Sequence, residues 1–223
     1  QLLEFPGLET STYSTQYVIG QPLDIRMSYQ YTGIDAETGL YTFRDFNGDG
    51  QLTVAEDRKK AVNLTPQFFG GLQNSISYKN WQLDFLFQFV KQKGFNYTYL
   101  GGVPGGLGNQ SVQASNAWQL ENQNAAVQMY TSGSNAAALT SFDRFVMSDG
   151  AITDAAYIRL KNLSLSYALP QAWVKTANCR LYFQAQNLFT FTKYQGPDPE
   201  NQTQGGLPPL RVLSIGVQLN FQP

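Results

Sequence analysis

Arg211-Val212-Leu213-Ser214-Ile215-Gly216-Val217-Gln218-Leu219-Asn220-Phe221 alternates without a break from Leu213 onward. Positions 213, 215, 217, 219 and 221 are apolar, and positions 214, 216, 218 and 220 are Ser, Gly, Gln and Asn. A period of two sends successive side chains to opposite faces of an extended strand. The stretch therefore predicts a strand with one greasy face and one small or polar face. Trp81, Leu83, Phe85, Phe87 and Phe89 repeat the pattern against Gln82, Asp84 and Gln88. Leu163, Leu165 and Tyr167 alternate with Asn162, Ser164 and Ser166. Leu181, Phe183 and Ala185 alternate with Arg180, Gln184 and Gln186, although Tyr182 interrupts the polar face.

Working outward, Leu72 to Tyr78 predicts a strand and Lys79-Asn80 a tight turn. Residues 68–92 then form a hairpin with arms of about ten residues, near the 9–11 of a membrane strand. Asp24 to Thr32 and the Leu40 to Arg44 region predict further strands. Between Gly94 and Ser148 lies a long Gly-, Asn-, Gln-, Ser- and Ala-rich segment without a strong core pattern, with a short helix expected around 115–130. A second loop, Gln195 to Pro209, is punctuated by four prolines. Short turns on one side and long loops on the other fit an outer-membrane barrel. Alternation alone fits a soluble sandwich as well, because one sheet face there is buried and the other wet. The aromatic load and the long strands favour the barrel.

Composition narrows the chemistry. The chain has 223 residues, 15 Lys+Arg against 16 Asp+Glu, and 14% charged residues, where soluble domains carry about 25%. No basic excess exists to neutralise phosphates, so a nucleic-acid partner is not expected. Hydrophobic residues at 42% argue against a disordered tail. Histidine is absent, which removes the commonest general base, His-based nucleophile activation and His-ligated zinc. The lone Cys179 forms no internal disulfide or thiolate cluster. An enzyme is not expected. The chain begins at Gln1 without a signal-like segment, which is the expectation for a mature or cut piece of something longer. No run approaches the ~20 apolar residues of a membrane helix.

Residues 45–56, Asp-Phe-Asn-Gly-Asp-Gly-Gln-Leu-Thr-Val-Ala-Glu, match a twelve-residue calcium loop. Asp45, Asn47 and Asp49 stand at positions 1, 3 and 5, Gly50 makes the sharp turn, the Gln51 carbonyl serves position 7, and Glu56 stands at position 12. Leu52 would anchor the loop to the core. Hard cations need several oxygens, and alternate positions on a wound loop supply them. The simpler alternative is an Asx-rich turn closed by side-chain-to-backbone hydrogen bonds. Tyr41-Thr42-Phe43 before the loop reads as strand rather than helix, so a bound Ca2+ would brace a loop rather than work a sensor.

Asp198 and Glu200 sit in Gly196-Pro197-Asp198-Pro199-Glu200. Paired carboxylates can act as acid and base, but flanking prolines favour a rigid turn. Asp143, Asp149 and Asp154 read as loop caps, with Arg159 and Lys161 placed to pair with them locally. Tyr97, Tyr99, Trp118 and Tyr130 in the long segment could stack on sugars or pack the loop on itself.

Several stretches together resemble one family, the SusC/RagA-like TonB-dependent outer-membrane transporters of Bacteroidetes. They are Leu40-Tyr41-Thr42-Phe43-Arg44-Asp45 running into Asn47-Gly48-Asp49-Gly50, and Pro66-Gln67-Phe68-Phe69-Gly70-Gly71 leading into the hairpin. Ser148-Asp149-Gly150 follows, then Asp154-Ala155-Ala156-Tyr157-Ile158-Arg159-Leu160-Lys161-Asn162-Leu163-Ser164-Leu165-Ser166-Tyr167-Ala168-Leu169-Pro170. Gln186-Asn187-Leu188-Phe189-Thr190, Tyr194-Gln195-Gly196, Asp198-Pro199-Glu200 and the closing strand to Phe221 complete the ordered set. One departure is that Gln222-Pro223 follow the aromatic at which family chains usually stop.

The resemblance implies an all-β fold: the C-terminal strands of a large antiparallel transmembrane β-barrel of about 22 strands, with long extracellular loops. Residues 1–223 would be the C-terminal barrel segment, without the plug, the carboxypeptidase-like domain or the TonB box. It further implies an outer-membrane location and TonB-energised uptake of oligosaccharides or peptides. The implied partners are a SusD-like surface lipoprotein as lid, the remaining N-terminal barrel and plug, TonB and the lipid bilayer. Gln82, Gln88, Asn162, Gln184, Gln186, Gln218 and Asn220 would line the interior. The rival expectation is a secreted, calcium-stabilised β-sandwich that binds carbohydrate; a third is a complete eight-stranded barrel.

Overall fold

The computed structural model describes residues 1–97, 101–174, 177–202 and 206–221. Tyr99 and the terminal Gln222-Pro223 lie outside the described residues. The chain divides into two compact units, one of Gln1–Thr65 with Lys93–Asp154 and the other of Pro66–Gln92 with Ala155–Pro223.

The second unit is a single antiparallel sheet. Its strands are β5 (Phe68–Tyr78), β6 (Trp81–Lys91), β9 (Tyr157–Ala168), β10 (Ala177–Thr192) and β11 (Val212–Phe221), in the order β11-β10-β9-β6-β5. The expected hairpin is present, with Tyr78 opposite Trp81. Lys79 closes the turn at φ 54, a left-handed conformation needed by tight hairpin turns. Register joins the separate alternations into two faces. Leu83 lies between Ile76 and Leu165, Phe183 lies beside Leu165 and Ile215, and all belong to the apolar face. Gln82, Ser166 and Tyr182 align on the other face, as do Asn162 with Gln186, Gln184 with Ser214, and Gln218 with Arg180.

The apolar face is not a core. Ile215 is 86% exposed, Phe221 72%, Phe191 64% and Leu72 57%. A sandwich would bury these side chains against a second sheet, so the sandwich expectation is corrected. A soluble surface rarely carries an apolar patch larger than a few hundred Å², and here the face runs across five strands. From Trp81 to Phe89 it extends about 27 Å along β6, close to the ~25 Å apolar band of membrane barrels. At the turn end, the Trp81 and Tyr167 rings lie 4.7 Å apart, Tyr78 stands opposite Trp81, and Lys79 Nζ sits 5.3 Å from the Tyr78 ring. Amphipathic rings at one end of a greasy band match the aromatic girdle of membrane barrels. The edge strands β5 and β11 do not pair with each other, so this sheet is not a small barrel closed on itself.

Two local devices let the sequence keep its faces. Leu86 faces Asn162 but Phe87 faces Leu160, which makes Lys161 an extra residue on β9. The bulge changes parity: Ile158 and Leu160 join Leu163, Leu165 and Tyr167 on one face. On β10 the same row is accommodated by Asn187 and Leu188, between Gln186 and Phe189. The second device explains Tyr182. Its ring lies over Gly216 on β11, where a Cβ would collide with it. An aromatic cross-strand partner thus covers the strand's missing side chain.

The first unit holds the short pairs β1 (Ile25–Ser28) with β4 (Lys60–Asn63), β2 (Tyr31–Ile34) with β3 (Tyr41–Phe43), and β7 (Lys93–Phe95) with β8 (Ile152–Asp154). It also holds α1 (Val54–Asp57) and α2 (Ala136–Val146). The expectation of a helix around 115–130 is corrected: that stretch is irregular, with one 3-10 turn at Val112–Asn116, and the helix is α2. Asn135 caps it by accepting from Ala138 N–H at 3.1 Å. Ala138, Ser141, Phe142 and Phe145 form its buried stripe, and Phe145 stacks on Tyr41 at 4.1 Å. The long segment does carry a core after all.

We expect Gly216→Val to destabilise the sheet by about 1–3 kcal/mol, the usual overpacking cost, measured by denaturant unfolding of the full-length protein in detergent. With Tyr182→Ser in the same molecule the loss should shrink. Equal losses in both backgrounds would show that the ring over Gly216 is incidental.

Candidate functional site

The polar face of the five-stranded sheet gathers amides, hydroxyls and charged groups from neighbouring strands. Gln82, Asp84, Ser164, Ser166, Tyr182 and Gln184 line a shallow depression on it. Gln82 Nε2 donates to Asp84 at 3.1 Å. Asp84 and Arg180 bring one charge of each sign to this depression, and the amides and hydroxyls around them both donate and accept, so the face offers polar partners without imposing one sign of charge. All seven residues expected to line an interior share it: Gln82, Gln88, Asn162, Gln184, Gln186, Gln218 and Asn220.

At the end of the sheet away from the Lys79-Asn80 turn, the segment after β10 returns onto this face. Arg159 sits opposite Gln88 and Thr190 in register and is 1% exposed. Its Nε donates to Thr190 Oγ1 at 2.8 Å and its Nη1 to Glu200 Oε2 at 2.6 Å, while Nη2 pairs with Asp198 Oδ2. Lys161 Nζ reaches both Glu200 oxygens at 2.7 and 2.8 Å. Asp198 Oδ1 accepts from the Glu200 and Asn201 N–H groups at 2.9 and 3.1 Å. Gln92 Nε2 donates to the Pro199 carbonyl at 2.6 Å. Asn187, left-handed at φ 50, donates from Nδ2 to the Leu210 carbonyl at 3.0 Å. Asn tolerates that conformation better than most residues, which gives the Gln186-Asn187-Leu188-Phe189 motif a physical reason.

This network corrects the expected local pairing of Arg159 and Lys161 with Asp143, Asp149 and Asp154. Asp149 instead accepts from Tyr31 N–H at 2.8 Å. The rigid-turn reading of Asp198-Pro199-Glu200 holds, with the addition of buried charge that spacing could not reveal. Both carboxylates are neutralised by cations, which suits neither the acid nor the base of a hydrolytic pair. Nor is Trp118 an exposed stacking platform: it is 9% exposed, and its ring fills the slot left by Gly39. Tyr130 is 40% exposed, with its hydroxyl bound to the Ala114 carbonyl.

The Asp45–Glu56 loop follows β3 and runs into α1. Asp45 accepts from Gly48 and Gly50 N–H at 2.6 and 2.8 Å, and Asp49 accepts from Gln51 N–H at 2.7 Å. Asn47 accepts from Asp49 N–H at 3.2 Å. Gly48 and Gly50 take positive φ of 75 and 78. Leu52 is half-buried, and its carbonyl accepts from Arg144 at 3.0 Å. Glu56 is exposed, and the neighbouring Asp57, not assigned from the sequence, closes the loop by accepting from Phe46 and Thr53 N–H at 2.9 and 2.8 Å. The Thr53 and then the Phe46 N–H hold the Asp57 carboxyl below the usual carboxylate range. Among the described residues no group of three or more His, Cys, Asp or Glu is gathered as a metal site. The geometry is that of a loop closed on its own backbone.

No protein-family model matches the chain. A Formosa agariphila protein named TonB-dependent receptor P3 is 34% identical over 211 residues, covering 84% of this chain and 19% of that relative. TonB-dependent receptor SusC of Bacteroides thetaiotaomicron is 26% identical over 188 residues, or 80% of this chain and 17% of its own. A solved structure of the RagAB peptide transporter matches with a TM-score of 0.73 and 27% identity, over 92% of this chain and 24% of that one. The chain thus spans about a fifth of the length of the curated relatives it matches. Two-faced strands, a girdled apolar band and these relatives agree: the chain belongs to the SusC/RagA-like TonB-dependent receptors of the outer membrane.

Proposed function

We propose that this chain is the C-terminal part of the barrel wall of a TonB-energised nutrient importer. The carrying observation is the sheet with an exposed apolar face and an amide-lined reverse. Such a sheet suits hydrocarbon on one side and an aqueous passage on the other. The cargo would be oligosaccharides or peptides, whose hydroxyl or amide groups match the neutral donors and acceptors of the polar face. A SusD-like surface lipoprotein would serve as lid, and TonB would act on a plug that this segment only surrounds. The open edges β5 and β11 would pair with the upstream strands, since lipid cannot satisfy unpaired backbone groups. On this reading the segment contributes wall and loops rather than catalytic groups. The test is uptake of labelled peptide and oligosaccharide mixtures by cells carrying or lacking the full-length transporter. Loss of uptake on deletion, with the protein in the outer-membrane fraction, is expected. A secreted, soluble product with unchanged uptake would contradict the proposal.

For the Asp45–Glu56 loop we propose a structural Ca2+ brace as a secondary reading. Residue types at positions 1, 3, 5, 7 and 12 support it, namely Asp45, Asn47, Asp49, Gln51 and Glu56. Glu56 is exposed, and on this reading the ion would recruit it as the closing ligand. Terbium luminescence sensitised by nearby aromatics and competed by Ca2+ is expected, and should be lost in Asp49→Ala. Absence of competable luminescence would leave the loop as a self-closed turn.

A further inference from the structure

We infer that Arg159 is a positioning residue: acting through Asp198 and Glu200, it fixes the 194–202 segment against the polar face, making this segment a set part of the wall. The inference goes beyond the import reading and does not depend on it.

Burial makes the case. An arginine 1% exposed on a strand cannot remain without partners. Both of its ionic partners come from the returning segment about forty residues away: Asp198, itself 7% exposed, and Glu200. Its third hydrogen bond goes to Thr190 on the neighbouring strand, so the guanidinium ties two strands and one loop together. The planar fork matches this geometry, with separate N–H groups serving separate acceptors. Lys161, two residues along the same face, neutralises the charge on Glu200 that Arg159 leaves over. Gln92 adds a buried bond to the Pro199 carbonyl from β6's end. β9 and the residue after β6 thus converge on three residues of the loop, Asp198, Pro199 and Glu200, with β10 holding Arg159 in place. The bulge beside Lys161 sits two residues beyond Arg159, where the strand changes parity.

The competing account is that Asp198 holds the turn alone, through its Oδ1 bonds to the Glu200 and Asn201 N–H groups. Substitutions separate the two. Asp198→Asn keeps an oxygen for those N–H groups and loses the ion pair and hydrogen bond to Arg159. Hydrogen exchange of the full-length transporter in detergent would be followed on peptides covering 194–202 and on β9 and β10. We expect Arg159→Gln and Asp198→Asn each to accelerate exchange of 194–202 by about tenfold or more, with the strands little changed. The double variant should be no faster than Arg159→Gln, because Arg159→Gln already removes the contact that Asp198→Asn breaks. Arg159→Lys should fall between wild type and Arg159→Gln. Glu200→Gln leaves the Arg159–Asp198 pair in place and keeps the test readable if Arg159→Gln fails to assemble; faster exchange there supports the inference too. Unchanged exchange in Asp198→Asn and Glu200→Gln, or additive effects in the double variant, would overturn it.

Discussion

Everything in the sheet follows from a mismatch between its two faces that water cannot resolve. The strands β5, β6, β9, β10 and β11 pair in continuous antiparallel ladders, interrupted at the Lys161 and Asn187-Leu188 irregularities and open at the two outer edges. Their side chains ask for two solvents at once. Leu213, Ile215, Val217, Leu219 and Phe221 are each at least half exposed on one side, while Ser214, Gln218 and Asn220 point to the other. Hydrocarbon against the first row and a wet cavity against the second is the arrangement in which neither carries a penalty.

Departures from regular alternation serve this same constraint. The extra residue at Lys161 moves Ile158 and Leu160 onto the lipid-type face and leaves Arg159 and Lys161 on the other. Without it, a buried arginine would face hydrocarbon. Tyr182 breaks the run of small polar residues because Gly216 leaves a gap beside it. The ion network then draws the segment after β10 back over the polar face. Removing one partner from a buried pair leaves an uncompensated charge, at about 3–5 kcal/mol, which is why the segment's hold on the sheet rests on this network.

Much of this was legible in the sequence, for a physical reason. A strand whose faces meet different solvents writes its period directly into hydrophobicity, so the 68–92 hairpin and the strands ending at Tyr167 and Phe221 could be read one at a time. The bulge could not, because it is a property of pairing: only against Phe87 and Phe189 does the parity change at Leu160 become visible. The partners of Arg159 were hidden for a related reason, since the nearest acids in sequence are not the nearest in space. Helix α2 was misplaced although Ala138, Ser141, Phe142 and Phe145 carry a helical spacing; the Gly- and Asn-rich surroundings masked it. Trp118 read as exposed because no sequence pattern announces that Gly39 opens a slot for its ring.

The central claim is that the two faces of this sheet meet lipid and water respectively. Spin labels placed singly at positions 213 to 220 of the full-length protein in bilayers would test it most directly. Collision with oxygen, which partitions into lipid, is compared with collision with a water-soluble nickel complex. We predict a period of two: oxygen access peaking at 213, 215, 217 and 219, and nickel access peaking at 214, 216, 218 and 220. Access without that period, or nickel reaching the odd positions more readily, would contradict the account.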